Sequence, residues 1–329
     1  MPETLEEQLT KHLTDVHSIE VQALQQLRVA PRMARDHELA RAFREHIVET
    51  EDQERRVRER LEAHAADPSR LKDIVARAGG VGMVLFARTQ PDTPGKLVAH
   101  AYSYEHMELA AYELLSIVAE RAGDPETAAV ACSIRDQEAA MAERLAAGFD
   151  RAVDASLREV APEDLGRQLG TYLADAFAIE SQALQLLEQG QAIAGDPDLK
   201  KVFSDHLDET RSQQAAIRAR IEARGERPSR FKSALLRVGG VNLGAFFAAQ
   251  PDTPAKLAGF AFAFEHLEIA AYEQLLRIAR RAGDDETARI AERVAGEERA
   301  AAAAIRARFE PAVEAALTGQ DVSEWPRTR

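Results

Sequence analysis

The sequence predicts an all-α protein built from two tandem four-helix bundles. Three observations predict this fold class. The composition favours helices around a packed core, because 45% of the 329 residues are hydrophobic and only 5% are aromatic, which also argues against a disordered chain. The chain repeats itself, and within each repeat the apolar residues recur at intervals of three and four positions, as on one face of a helix.

The two copies are related by a constant offset of 160 residues. The segment QPDTP at 90–94 recurs at 250–254. Three further pairs of segments match at the same offset, namely 22–25 with 182–185, 110–113 with 270–273 and 121–124 with 281–284. A unit of this length has the size of a self-contained domain. We therefore predict one domain at 1–158 and a second, homologous domain at 159–329.

Local signals define the first two predicted helices of the first copy. A capping box at 4–7 begins the first helix, and Pro31 follows its predicted end near Val29. The second helix covers about 37–64, and its inward-facing residues include Phe43. Each helix therefore has one apolar face to bury.

The third and fourth helices have clear starting signals as well. Thr93 is placed to cap the third helix with Pro94 at its first position, and Gly123 ends it in a left-handed turn. Asp124 opens the fourth helix, which is predicted to run to about Val153. The second copy repeats these signals 160 residues later.

The connections between the helices differ in length. The first and second helices are joined by a short loop, as are the third and fourth, whereas the connection at 67–92 is long and is predicted to contain one or two short helices. Short loops join antiparallel neighbours, and one long crossover is the connectivity of the ferritin-like bundle. Loop lengths thus sharpen the prediction from a four-helix bundle to a ferritin-like one.

Acidic side chains fall on the helix faces that should be buried. At about 100° per residue, Glu20 lies in the apolar stripe of the first helix and Glu138 in that of the fourth. The second helix carries a His and a Glu three residues apart on one face, and the third helix carries two Glu at the same spacing. The predicted metal ligands are Glu20, His46, Glu49, Glu105, Glu108 and Glu138 in the first copy, and Glu180, His206, Glu209, Glu265, Glu268 and Glu298 in the second.

A metal centre explains this pattern better than packing alone does. One Glu in an apolar stripe is accounted for by a buried hydrogen bond or an interface, but five unpaired carboxylates would each cost several kcal/mol and would repel one another. Basic residues do not occur on these faces in matching number. Carboxylates with one imidazole and no thiolate favour iron or manganese over zinc, copper or calcium. We predict two iron or manganese ions per bundle, held by bridging carboxylates.

The motif HxxETxxQ at 46–53 and the motif EHxExAxY at 105–112 resemble the YciE/YciF-type ferritin-like family of bacterial stress proteins. The segment DxxxxExQxL at 15–24 adds to this resemblance, which spans nearly all of each copy. It implies a ferritin-like bundle related to rubrerythrin and bacterioferritin, with a di-metal centre. The tandem arrangement departs from the usual single-domain form of the family.

The ligand pattern also departs from the general di-iron pattern, which has Glu-x-x-His on two of its four helices. On the second helix the order is reversed, with His46 preceding Glu49. On the fourth helix, Met141 and Ala301 stand where the second His of each copy would lie, and Glu108 is an extra carboxylate available to replace it. These departures weaken the expectation of oxidase chemistry more than that of metal binding.

Two functions remain open at this point. The leading one is a di-iron or di-manganese protein that consumes peroxide or oxidises ferrous ion in stress response, with Glu49 and Glu105 bridging the ions and the other ligands terminal. The alternative is a non-catalytic structural or partner-binding stress protein whose site is vestigial or purely structural. Whether the protein is an enzyme is thus undecided. A storage shell is disfavoured, because a fused pair more naturally mimics a two-fold homodimer, and we expect the bundles to pack as a pseudo-two-fold dimer.

Other residues on or near these faces receive more modest roles. His106 and His266 point about 100° away from the neighbouring Glu and are expected to support the ligands or to lie at an interface. Tyr112 and Tyr272 fall on the metal face, where a core Tyr with a satisfied hydroxyl is the simplest interpretation. Cys132 has Glu292 as its counterpart in the second copy and is assigned no chemistry.

The charge and the termini exclude several classes of partner. A net charge of −13 opposes binding to nucleic acid or to anionic membranes. A single cysteine precludes an internal disulfide and suits a reducing compartment. The beginning of the chain lacks the pattern of a secretory signal, and no apolar stretch approaches the ~20 residues of a membrane span. We therefore expect a cytoplasmic protein.

Overall fold

The computed structural model describes residues 4–64, 93–225 and 253–319, and helices make up nearly all of these residues. The helices of the first repeat are α1 (Leu5–Leu27), α2 (Ala30–Met33), α3 (His37–His64), α4 (Pro94–Arg121), α5 (Pro125–Ala147) and α6 (Phe149–Leu157). Those of the second repeat are α7 (Leu165–Ile193), α8 (Pro197–Ala223), α9 (Thr253–Arg281), α10 (Asp285–Arg306) and α11 (Phe309–Gly319). No strand occurs within these ranges.

Four long helices close into a bundle in each repeat. In the first repeat α1 packs against α3 and α4, and α5 packs against α4 and α3. In the second repeat α7, α8, α9 and α10 pack in the same cyclic order. The predicted fold class, two tandem all-α bundles, is confirmed. The short helices predicted within the long crossovers lie outside the described residues.

The helix ends follow the local signals in the sequence. The backbone N–H of Glu7 donates to the Thr4 hydroxyl at 3.1 Å, and the N–H of Thr4 donates back to the Glu7 carboxylate at 2.9 Å, which forms the predicted capping box. Thr93 caps α4, and Gly123 follows α4 with a φ of 72°, a left-handed conformation that suits glycine. Of the described residues, none forms a helix long and apolar enough to cross a bilayer.

The fourth helix was predicted to run to about Val153, but the structure divides this stretch into two helices. α5 ends at Ala147, and the chain turns at Gly148 before α6 begins. A Cβ at Gly148 would lie 2.8 Å from a methyl carbon of Leu39 and 3.2 Å from the carbonyl oxygen of Leu145, so any side chain here would displace the Leu39 side chain on α3. The Phe149 ring, which begins α6, is buried and lies 5.3 Å from the Tyr102 ring between centroids.

A partly buried ion-pair network connects the start of α5 to the end of α3. The Asp124 carboxylate accepts the backbone N–H of Thr127 at 3.0 Å, and it also accepts hydrogen bonds from Arg60 at 3.0 Å and His64 at 2.7 Å. Burial alone would raise the pKa of Asp124, but hydrogen bonds from Thr127, and then from His64 and Arg60, hold it below its usual range. Asp284 occupies the same position in the second repeat.

Replacing Asp124 with Ala is expected to lower the free energy of unfolding by about 2–3 kcal/mol. The change removes a helix cap and leaves the Arg60 guanidinium without this carboxylate partner. The urea midpoint, followed by circular dichroism, measures the effect. Asp124→Asn keeps an acceptor for the cap but loses the charge, so it should be intermediate. Equal stability of wild type and the Ala variant would contradict the assigned role.

The two bundles contact each other through reciprocal pairs of residues. α4 packs against α9, and the imidazole rings of His106 and His266 stack with centroids 3.5 Å apart and planes inclined by 15°. Lys96 pairs with Asp175 at 3.2 Å, and the equivalent pair 160 residues away, Lys256 with Asp15, lies at 2.9 Å. Arg121 likewise pairs with Glu310, as Arg281 does with Asp150. These contacts across the interface thus have counterparts with the two repeats exchanged.

Candidate metal centre

Four buried side chains meet inside the first bundle, and we call them the first cluster. They are His46 on α3, Glu105 and Glu108 on α4, and Glu138 on α5. Each offers one ligand atom, and these atoms all lie within 4.8 Å of one another. None of the four residues is more than 2% exposed, so water is excluded as their principal partner.

The second bundle contains an equivalent group, the second cluster. It consists of His206 on α8, Glu265 and Glu268 on α9, and Glu298 on α10. Its ligand atoms meet the same 4.8 Å limit, and all four residues are buried. Two copies of one arrangement therefore exist in the chain.

Helical periodicity explains why these polar residues are inside. On α3, Phe43, His46, Thr50, Gln53 and Val57 follow one another at intervals of three and four residues, and all are buried. The face that buries the two apolar residues of this row must also bury the His. The Thr50 hydroxyl donates to the backbone carbonyl of His46 at 2.8 Å, which satisfies it without involving the ring.

The His46 ring lies between two other residues of the first cluster and Glu49, which is outside the cluster. Its Nε2 atom lies 3.1 Å from Glu105 and 3.6 Å from Glu138, while Nδ1 lies 3.0 Å from Glu49. A proton on Nδ1 that is donated to Glu49 leaves Nε2 as a lone-pair donor directed at the cluster. This carboxylate–His arrangement is the one that orients imidazole ligands on metals.

Glu49 and Glu209 therefore lie outside the clusters, on the far side of the His rings. Their side chains are 35% and 57% exposed, respectively, and Glu209 is 3.2 Å from Nδ1 of His206. The structure brings both residues to the site but places them against the His ring instead of among the other carboxylates. A bridging role for Glu49 stays a prediction.

Glu20 and Glu180 lie beside the clusters and are fully buried. One oxygen of Glu20 accepts a short hydrogen bond from the Tyr112 hydroxyl, and Tyr272 donates to Glu180 in the same way. The second oxygen of each carboxylate is buried without a hydrogen-bond donor. Both Tyr hydroxyls thus have a partner, and each Glu keeps one oxygen available for ligation.

Several other buried carboxylate oxygens have no hydrogen-bond donor. In the first bundle these include Oε1 of Glu108 and both oxygens of Glu138, and in the second both oxygens of Glu268 and Oε1 of Glu298. A buried acceptor without a donor is costly, and a charged one is more so. These oxygens need either protons or cations.

The pKa shifts of these groups point to the same requirement for protons or cations. Burial raises the pKa of Glu20 and of Glu180 to about 8, although the hydrogen bonds from the Tyr hydroxyls oppose the shift. Burial and the neighbouring carboxylates raise the pKa of Glu108 and Glu138 well above its usual value. Burial would lower the pKa of His46, but the negative charge of Glu105 and its hydrogen bond raise it overall. Without a metal, the site therefore retains protons near neutral pH.

The donor set fits a hard or borderline divalent cation. Each cluster supplies carboxylate oxygens and one imidazole nitrogen but no thiolate, a combination that suits iron or manganese. Glu20 and Glu180 add a further oxygen each from α1 and α7. His106 and His266 do not belong to either cluster. The Nδ1 of each is hydrogen-bonded to the backbone carbonyl four residues earlier, and the two rings stack on each other.

Sequence reasoning missed one residue beside the first cluster. Arg144 on α5 contacts Glu49. It is not retained in the second repeat, where the equivalent residue is Ala304. A charged residue opposite an apolar one in the aligned copies is the signal that could have identified it.

The fold and the site together define a class of protein: an all-α tandem bundle with a buried carboxylate–histidine cluster in each repeat. The chain belongs to the family described as a domain of unknown function, DUF892, whose model matches residues 4–158 and again residues 167–318. The family thus covers both repeats. No solved structure matches the chain.

Proposed function

We propose that each bundle holds a carboxylate-rich centre of two iron or manganese ions, as in the ferritin-like family of YciE/YciF-type stress proteins that the sequence resembles. The observation that carries this proposal is the set of fully buried carboxylate oxygens without hydrogen-bond donors, gathered around one imidazole nitrogen. Hydrogen bonds do not satisfy these oxygens, whereas cations would do so directly.

In this proposal, some residues bind the ions and others orient the ligands. The four residues of each cluster bind the ions, and Glu20 or Glu180 adds an oxygen oriented by its Tyr partner. Glu49 and Glu209 orient the His ring. Iron bound in this way supplies redox chemistry towards dioxygen or peroxide, so the leading function is ferroxidase-type or peroxide-consuming. In the metal-free site, the raised pKa of Glu108 favours a proton on this carboxyl, and a bound cation would displace that proton.

A specific observation favours the non-catalytic alternative. Met141 packs in the apolar core of the first bundle, fully buried, where a di-iron protein of the general pattern has its second His. Ala301 fills the position in the second repeat. A structural metal site, which serves to hold the bundle or bind a partner, does not need that ligand.

We also propose that residues 1–158 and 159–329 form two domains packed about a pseudo-two-fold axis. The stacked His106 and His266 rings and the reciprocal ion pairs support this arrangement, because isologous contacts of this type arise at two-fold interfaces. The tandem chain would then correspond to a covalently linked dimer.

Metal analysis of protein from iron- and manganese-supplemented cells tests the proposed function. We expect about two ions per bundle. The matched control, which we call the cluster variant, carries Glu105→Gln, Glu138→Gln, Glu265→Gln and Glu298→Gln, and it should contain almost none. Absence of metal from wild type under both conditions would refute the proposal. Consumption of dioxygen or peroxide by the ferrous-loaded protein then separates a catalyst from a structural site.

A further inference from the structure

The two centres have equivalent ligands but differ just outside them, around Glu49 and Glu209, at what we call the rim of each centre. In the first repeat, the Arg144 guanidinium donates to both oxygens of Glu49 at 3.2 Å each and lies 3.8 Å from Glu45. In the second repeat, the equivalent of Arg144 on α10 is Ala304. Glu209 consequently has no such partner and is more exposed than Glu49, at 57% against 35% of the side chain.

The two repeats also differ at two acidic positions near the centres, but each repeat has one of the two carboxylates. The first repeat has Glu54 where the second has Gln214, and the second has Glu297 where the first has Gln137. Each extra carboxylate has its own cationic or polar neighbour: Glu54 contacts His17 at 3.0 Å, and Glu297 contacts Arg293 at 2.6 Å. Arg144 is thus a basic residue that contacts Glu49 in the first repeat and has an apolar counterpart, Ala304, in the second.

We propose that Arg144 makes the two metal centres unequal, so that the second cluster binds divalent cations more tightly and fills before the first. This inference rests on the proposed function and adds to it a residue that sets affinity. The guanidinium repels an approaching divalent cation, and it holds Glu49 at the rim in competition with that cation. The second centre lacks both effects.

The size of the difference follows from charge and distance. The Arg144 guanidinium is 38% exposed, so water and salt screen part of its field. We expect an affinity for Mn²⁺ that is about tenfold lower in the first centre, and a ratio that shrinks as ionic strength rises. Filling would then proceed in order, the second centre taking metal at concentrations at which the first is largely empty.

Titration calorimetry with Mn²⁺, on full-length proteins in which one centre is disabled, resolves the two affinities. Glu265→Gln with Glu298→Gln leaves the first centre, and Glu105→Gln with Glu138→Gln leaves the second. In the protein that keeps the first centre, Arg144→Ala should tighten Mn²⁺ binding about tenfold. In the protein that keeps the second centre, Ala304→Arg should weaken it to a similar extent. Mn²⁺ is used because it binds without being oxidised by air during the titration.

Two controls separate a charge effect from a general one. Arg144→Lys keeps the positive charge and should leave the affinity close to that of the parent. Arg135→Ala removes another Arg of α5, one paired with Asp136, and should change nothing. Equal affinities of the two centres, or an Arg144→Ala variant with unchanged affinity, would overturn the inference while leaving the proposed function intact. Absence of Mn²⁺ binding at both centres, together with absence of iron, would instead refute the proposed function and this inference with it.

Discussion

Saturation with Mn²⁺ should raise the thermal unfolding midpoint of the protein by about 10 °C. A ligand present at about 1,000 times its dissociation constant stabilises the folded state by roughly 4 kcal/mol per site. For domains of this size, about 1 kcal/mol shifts the midpoint by roughly 2–4 °C. The increase arises because cations take the place of protons on buried oxygens such as those of Glu138 and Glu268, which no hydrogen bond satisfies. Differential scanning calorimetry, with and without chelator, measures the shift.

The cluster variant is the control for this prediction. Its Gln side chains keep the shape of the Glu they replace but carry no charge, so the metal-free midpoint should stay within a few degrees of wild type. Addition of Mn²⁺ should then have no effect. A wild-type midpoint that does not respond to Mn²⁺, or a variant that still responds fully, would show that the clusters are not the binding sites.

The metal-free protein should lose stability as the pH rises from about 5 to 8. Glu20 and Glu180 have an ordinary pKa of 4.5 in the unfolded chain and of about 8 when folded. Between these values the folded state binds more protons than the unfolded state, so the free energy of unfolding falls with pH, by up to about 1.4 kcal/mol per pH unit for each group. His46, whose pKa is also raised, contributes stability below 6.5 that is lost as the pH rises through its folded pKa.

The acid side of the profile has the opposite sign. Glu49 has a folded pKa of about 2, lowered by its hydrogen bond to His46 and then by Arg144, so its stabilising effect is present above 4.5 and is lost as the pH falls towards 2. Asp284, also at about 2, behaves alike: burial opposes the shift, but its bonds to Arg220 and Thr287 prevail. The metal-free protein should therefore be most stable near pH 5.

Chemical denaturation of chelator-treated protein at a series of pH values checks this profile. Because metal binding requires deprotonated ligands, Mn²⁺ should stabilise most at the alkaline end and flatten the decline. The cluster variant should decline less steeply than wild type, since it lacks the carboxyls of Glu138 and Glu298, whose pKa is raised by burial. A metal-free wild type that is more stable at pH 8 than at pH 5 would contradict the raised pKa values.

The caps, the helix limits and the buried face of each helix were predictable because they depend on neighbouring residues. The second helix was predicted at about 37–64 and is observed at His37–His64. Its buried row from Phe43 to Val57 follows from helical periodicity alone. The end of α5 was not predictable in the same way, because the turn at Gly148 depends on a contact with Leu39 and on the burial of Phe149.

The clusters, too, were predictable in part from the sequence and in part only from the structure. Helical spacing predicted which residues share a helix face, but the sequence could not rank them by distance from one another. Only side-chain orientation across the bundle separates Glu138, in the cluster, from Glu49, at the outer nitrogen of His46. The pairing of Arg144 with Glu49 joins residues 95 positions apart, so no local pattern predicts it.

The sequence by itself determined that this protein consists of two helical repeats, each with several carboxylates and one His on faces that must be buried. These properties arise from a period of about 3.6 residues and from local caps, which neighbouring residues specify. The tertiary structure decided which of these side chains converge, how the repeats meet at His106 and His266, and that Arg144 pairs with Glu49 in the first repeat. These features are contacts between distant segments, and their geometry exists only after the helices pack.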